Sequence, residues 1–233
     1  MLKTVFKGRS FNRENATYVL GLAFELLPDN DPNNTCFLDV GSGYGNLLDL
    51  VLERNFTKCA VGIERRPDFA EVSRKEVPDA VLFENDLLDR YFPAMELANS
   101  LRNKPTVAFI YDGGIFDFDV LRTVSALLAT VLPSKSVVVF VTAVAQGKYD
   151  ASNIIKMVQS FKRHFYIGAV HNISETDDPD DPNPTMQAIY FAEKGFDASR
   201  FYADEKLELG FQKSDSVFKT SLKPLPSIHK NSL

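Results

Sequence analysis

Cysteine and histidine are scarce in this chain of 233 residues: two cysteines, Cys36 and Cys59, and three histidines, His164, His171 and His229. There is no Cys-x-x-Cys pair and the histidines are scattered without ligand spacing, so a zinc site has no support in the sequence and no metal site is expected. Both cysteines open apolar runs, where a thiol behaves as a small hydrophobe; they read as reduced core residues. Long apolar runs are also missing. The longest, Val137–Ala145, falls well short of the roughly 20 residues that span a bilayer as a helix. Met1–Ser10 is basic but lacks the apolar centre of a secretory leader, so the chain is expected to be intracellular, cytoplasmic or nuclear, with no membrane partner. Charge of one sign is weak too. A net charge of -5 and a pI of about 5.3 give no bulk field that draws the molecule onto a polyanion, which argues against nucleic acid as a direct substrate. No internal repeat is evident.

What is present is a steady alternation. With 45% hydrophobic and 24% charged residues, the chain is able to bury one full core. Short β-rich runs at Cys36–Val40, Cys59–Glu64, Ala80–Glu84, Val107–Tyr111 and Ser136–Thr142 are continuous enough in apolar character to be covered on both faces, and they read as parallel strands. Amphipathic stretches lie between them. Pro67 stands at a first helical position, with Asp68 and Glu71 toward the positive end of the helix and Arg74 and Lys75 toward the negative end. Leu121, Val124, Leu128 and Val131 form one stripe, and Asp150 reads as the N-cap of a helix carrying Ile154, Ile155, Val158 and Phe161. Two closing runs, Phe165–Ile173 and Met186–Glu193, leave no room for a crossover helix and are expected to pair antiparallel. The expected class is α/β: five parallel strands plus a C-terminal antiparallel hairpin, a seven-strand sheet with helices on both faces. Three segments follow: 1–34, a basic stretch and a helix from Asn12 to Leu27; 35–195, the principal domain; and 196–233, an extension partly read as a mobile tail.

The chemistry gathers where strands end. The strand through Cys36–Val40 runs into Gly41, Gly43 and Gly45 and then a helix from about Asn46; glycines there permit positive φ and close approach of a ligand to the backbone. A dinucleotide pyrophosphate favours Gly-x-Gly-x-x-Gly, whereas this turn is Gly-x-Gly-x-Gly, preceded by Asp39. Glu64 ends the second strand about 20 residues on, where a carboxylate accepts both hydroxyls of a ribose. The pattern Asp-x-Gly-x-Gly-x-Gly resembles the first motif of the class I methyltransferases, Rossmann-like enzymes that use S-adenosyl-L-methionine (AdoMet). The resemblance implies that Gly41, Ser42, Gly43 and Gly45 line the cofactor turn and that Asp39 helps fix its amino-acid end. It further implies Glu64 on the ribose and Asp86 and Leu87 at the adenine; Tyr111 is a further candidate cofactor-binding residue. A closing antiparallel hairpin is likewise what these enzymes add to their sheet.

Asp112 ends the fourth strand, at the crevice where open α/β sheets bind ligands. It is the candidate catalytic residue: methyl transfer to an amine needs an aligned lone pair and a place for the proton to go. Over residues 15–118, FLDVGSGYGNLL, VGIERRPDFAEVSRK and ENDLLDRYF are similar to the catalytic core of the telomeric-silencing (Dot-one type) histone lysine methyltransferases. That resemblance implies a protein lysine amine as acceptor, although Tyr111-Asp112-Gly113-Gly114 stands where that family carries Asn-Asn-Phe. Two other readings remain: a small-molecule O- or N-methyltransferase, metal-assisted through Asp112, Asp117 and Asp119, and a non-catalytic subunit of the same fold. Arg65 and Arg66 are placed on the surface. The acidic connection over 175–182, Glu175 to Pro182, follows a strand parallel to the first five and is a candidate to attract a basic peptide.

Overall fold

Apolar runs of four to eight residues organise the molecule around one sheet; Cys36–Val40 and Ala60–Glu64 are buried throughout, whereas Val81–Glu84, expected to be covered on both faces, lies at the sheet edge and is half-exposed. The computed structural model describes residues 13–112, 118–144, 167–173 and 185–192. The strands are β1 Cys36–Val40, β2 Ala60–Glu64, β3 Val81–Glu84, β4 Thr106–Asp112, β5 Val137–Val144, β6 Ile167–Ile173 and β7 Thr185–Ala192, in the order β3-β2-β1-β4-β5-β7-β6. The first five are mutually parallel, as expected from their unbroken apolar character. The closing pair is antiparallel, and it adds an arrangement that the sequence does not reveal: β7 turns back to lie between β5 and β6. Burial accounts for the order. Ala188, Ile189, Tyr190 and Phe191 are all buried, and a strand with four consecutive buried side chains belongs inside a sheet.

The helices are α1 Arg13–Glu25, α2 Asn46–Glu53, α3 Pro67–Glu76, α4 Ala94–Ser100 and α5 Phe118–Val131. Pro67 opens α3, with Asp68 in its first turn and Arg74 and Lys75 in its last, the polarity that suits the helix dipole. α4 is short, and Leu97 is its buried residue, too little to leave a periodic signature. Val19, Leu20 and Phe24 of α1 and Leu48 and Val51 of α2 cover one face, against Phe37, Phe109 and Val139. Leu97, Leu121, Val124 and Leu128 of α4 and α5 cover the other, against Leu38, Ile63, Ile110 and Phe140. The chain therefore changes sides between β1 and β4, neighbours in the sheet, and opens a crevice at their carboxyl ends. Among the described residues no helix is long and apolar enough to cross a membrane.

One expectation is corrected. Cys36 and Cys59 are joined as a disulfide rather than standing as separate thiols, their Cα atoms 4.7 Å apart. The cause is register: Phe37 pairs with Ala60 across β1 and β2, so the residues just before them face each other at disulfide separation. In a reducing compartment the same register holds two thiols side by side. The stretches 1–12, 113–117, 145–166, 174–184 and 193–233 lie outside the described residues, and with them the helix expected after Asp150, the connection over 175–182 and the C-terminal extension.

Gly62 is the tightest point of the sheet near the crevice. A Cβ there would lie 2.8 Å from Leu48 Cδ1, from Leu82 Cδ1 and from Ser42 Oγ. Gly62→Ala should lower folding stability by about 1–2 kcal/mol through overpacking. Urea unfolding checks this, and an unchanged midpoint would contradict the packing described.

Candidate active site

The turn after β1 is built from backbone that only glycine tolerates cheaply. Gly41, Gly43 and Gly45 have φ of 81°, 56° and 82°, all in the left-handed region. Two N–H groups, those of Gly41 and Ser42, donate to the Ile63 carbonyl at 2.8 and 2.9 Å, and Gly45 N–H donates to Ser42 O at 2.9 Å. The turn is thus stitched to the end of β2 and then closes on itself to start α2. Among the described residues a Cβ at Gly41 or Gly43 would meet nothing within 4 Å, whereas at Gly45 it would collide with Ser73 of α3. The first two glycines therefore open onto free space. The third is required by the packing of α2 on α3.

Glu64 is the centre of the arrangement. Its side chain is buried, at 7% exposure, yet both oxygens are engaged: Gly43 N–H donates to Oε2 and Arg66 N–H to Oε1, each at 2.8 Å. One carboxylate thus bridges the glycine turn and the first turn of α3. Each oxygen retains a further lone pair for a ligand hydroxyl.

Asp39 lies on the same sheet face. It pairs with Gly62 in register, and Glu64 is two residues beyond Gly62, so the two carboxyl groups are diagonal neighbours across a position with no side chain. Asp39 is 3% exposed. Burial, aided by the nearby charge of Glu64, pushes its carboxyl up to about 8 from the usual 3.8. Ser42 Oγ, over the same gap, is buried without a hydrogen-bond partner.

The remaining sites are more open. Asp86 is exposed, and its Oδ1 accepts the Leu88 N–H at 2.9 Å, a local turn bond. Leu87 is half-buried against the α4–α5 face, and Tyr111 is half-buried against the α1–α2 face. Asp112 ends β4 with Thr142 of β5 opposite; its backbone therefore stands at the carboxyl edge, beside the β1 turn. Arg66 is exposed as expected, with Asp68 holding its guanidinium at 2.7 Å. Sequence reasoning missed one feature. Tyr44, inside the glycine turn, contacts Phe69 with ring centroids 4.2 Å apart, and Arg66 lies over that same ring at 3.7 Å. The aromatic between two glycines was the available signal. Among the described residues no group of three or more His, Cys, Asp or Glu is placed to hold a metal.

No protein-family model matches the chain, and no curated protein sequence does. Solved structures match in shape. The methyltransferase domain of bacterial CtHen1-C shares 16% identity with a TM-score of 0.59, covering 78% of this chain and 99% of that one. The N-methyltransferase NodS from Bradyrhizobium japonicum WM9 shares 12% with a TM-score of 0.55, covering 81% and 100%. The geranyl diphosphate C-methyltransferase from Streptomyces coelicolor A3(2), in complex with Mg2+, geranyl diphosphate and S-adenosyl-L-homocysteine, shares 10% with a TM-score of 0.52, covering 82% and 90%. At these identities the likeness shows the fold alone, a Rossmann-like seven-strand sheet with its closing antiparallel pair.

The raised Asp39 carboxyl has a consequence for stability. A carboxyl lifted above its unfolded value favours the fold fully below about pH 4, and that contribution is lost as pH rises through about 8. Asn imitates the neutral acid, so Asp39→Asn should gain on the wild type steadily between pH 5 and pH 8. Urea midpoints of both proteins across that range test it; parallel curves would contradict the assignment.

Proposed function

We propose that this chain is an AdoMet-dependent methyltransferase, with residues 35–195 as its catalytic unit. The observation that carries the reading is an open glycine turn set beside two buried carboxyl groups, Asp39 and Glu64, that form no ion pair with a cation among the described residues. Such a cleft suits a ligand that brings its own positive charge and ribose hydroxyls. It disfavours a dinucleotide, whose pyrophosphate would meet negative charge at the turn. AdoMet carries an ammonium and a sulfonium, and supplies when bound a methyl group activated toward nucleophiles.

The residues divide the work. Gly41, Ser42, Gly43 and Gly45 provide backbone that a ligand approaches closely, and Asp39 faces the amino-acid end. Glu64 accepts the ribose hydroxyls through its spare lone pairs. Asp86 and Leu87 serve the adenine edge and face, and Tyr111 lines the wall. Asp112, at the end of β4, orients the acceptor and takes its proton if the acceptor is an amine. Pairing of Asp112 with the sulfonium itself would slow transfer, because that charge disperses in the transition state.

For the acceptor we propose a protein lysine amine, supported by the resemblance of the three sequence stretches to the Dot-one type core. β6 runs parallel to β5, so Ile173 and Thr185, which flank the acidic connection, stand at the carboxyl edge of the sheet. That placement supports the attraction of a basic peptide. A small-molecule acceptor is the second reading, favoured by the likeness to the geranyl diphosphate C-methyltransferase.

Titration calorimetry with AdoMet tests the donor. Gly43→Asp should abolish binding, by placing bulk and negative charge in the turn; wild-type affinity in that variant would overturn the site. Asp112→Ala should keep cofactor affinity and lower turnover about 100-fold, and normal turnover would remove its catalytic role. Tritiated AdoMet incubated with cell extract, then separated into protein, nucleic-acid and small-molecule fractions, assigns the acceptor. Label confined to small molecules would exclude the lysine reading.

A further inference from the structure

Burying two carboxyl groups on one face of a sheet, with no cation paired to them among the described residues, is costly, and the molecule avoids part of that cost by the way it bonds them. Glu64 accepts two backbone N–H groups, the arrangement that stabilises a charged carboxylate. Among the described residues no such bonds hold Asp39. It is the more deeply buried of the two, it faces Glu64 across the bare position of Gly62, and the hydroxyl nearest that gap, Ser42 Oγ, is itself without a partner. Like charges so placed do not both persist; the acid without bonded donors is the one that stays neutral.

We propose that Asp39 rests protonated and yields that proton to solvent when a cationic ligand occupies the cleft, so that binding of AdoMet is coupled to release of about one proton. The inference rests on the donor assignment made above and adds to it a selection by charge: the empty cleft is closer to neutral than its two acids suggest, and it acquires its full negative charge as the cation arrives.

The groups around Asp39 leave this assignment intact. From β2 comes Glu64, and from β4 comes Tyr111, two residues beyond Phe109, the register partner of Asp39. Tyr44 comes from the turn. On α2, Asp49 is exposed and Glu53 pairs with Arg13 of α1. At the start of α3 the Arg66 guanidinium is taken by Asp68 and laid over Phe69. Among all of these, Glu64 is the charge that acts on Asp39, in the direction that keeps it protonated. A sulfonium or ammonium has the opposite effect and draws the carboxyl back toward its ordinary range.

The test is calorimetry on the full chain with AdoMet at pH 6.5, in buffers of low and high ionisation enthalpy. The expected heat differs between buffers by an amount equal to nearly one proton released. Affinity should rise about tenfold per pH unit from pH 5.5 to 7, a window in which an α-amino group remains largely protonated. Adenosine, which carries neither positive charge, should bind with no buffer-dependent heat. Asp39→Asn should show neither the buffer difference nor the pH slope, and because Asn imitates the neutral acid this variant is expected to fold. Tight AdoMet binding with the same heat in every buffer overturns the proposal, as does an equal proton release on adenosine binding or a pH slope that persists in Asp39→Asn. Absence of AdoMet binding at every pH overturns the donor assignment itself, a result distinct from binding without proton release.

Discussion

Two backbone N–H groups from separate turns, those of Gly43 and Arg66, converge on the one carboxylate of Glu64. Because Gly43 belongs to the turn after β1 and Arg66 precedes α3, this single side chain sets the distance between the two loops that border the crevice. It also satisfies donors that would otherwise be left unpaired beside a buried sheet end. The glycine turn adds its own stitches to Ile63, so the ends of β1 and β2 act as one rigid piece. The open space at Gly41 and Gly43 is held on that piece, where no atom of the described residues comes within 4 Å of a Cβ placed at either glycine.

Much of this was legible in the residues. The five parallel strands announce themselves as short apolar runs, and Pro67, Asp68, Arg74 and Lys75 mark α3 by chemistry that acts locally. Asp39, Gly41, Gly43, Gly45 and Glu64 stand at spacings that reflect strand and turn geometry, and the structure brings them to one place. What escaped the sequence depends on partners distant along the chain. The place of β7 between β5 and β6 depends on pairing with strands far apart in the chain, and the sequence does not reveal which of the two closing strands lies inside. The joining of Cys36 to Cys59 follows from the register of β1 against β2, which is fixed by the whole sheet. The tilted contact of Tyr44 with Phe69, and of Arg66 with the same ring, needs α3 to dock beside the turn before the three groups meet. α4 has a single buried side chain, and one residue makes no period.

The two faces of the sheet carry different duties. The face under α4 and α5 is apolar and holds the Cys36–Cys59 pair near the amino ends of its strands. The face under α1 and α2 is equally apolar through Phe37 and Phe109, but at the carboxyl ends it turns acidic, with Asp39 and Glu64. Alternation along β1 makes this possible within five residues: Phe37 and Asp39 point one way, Leu38 and Val40 the other. A site of low dielectric is thus obtained without interrupting the core, since polar groups replace apolar ones only where the strands run out.

The inward return of β7 bears on how the sheet comes together. β5 has five consecutive buried residues, Val137 to Val141, and its outer edge is paired by β7 along its whole length. During synthesis that edge has no partner until residues 185–192 have left the ribosome, about 40 residues after β5 itself at a rate of roughly 5–20 residues per second. For those seconds the nascent chain presents an apolar strand edge of the kind that recruits other strands. β6 emerges first and, being parallel to β5 in the finished sheet, must leave the adjoining place vacant for the strand that follows it.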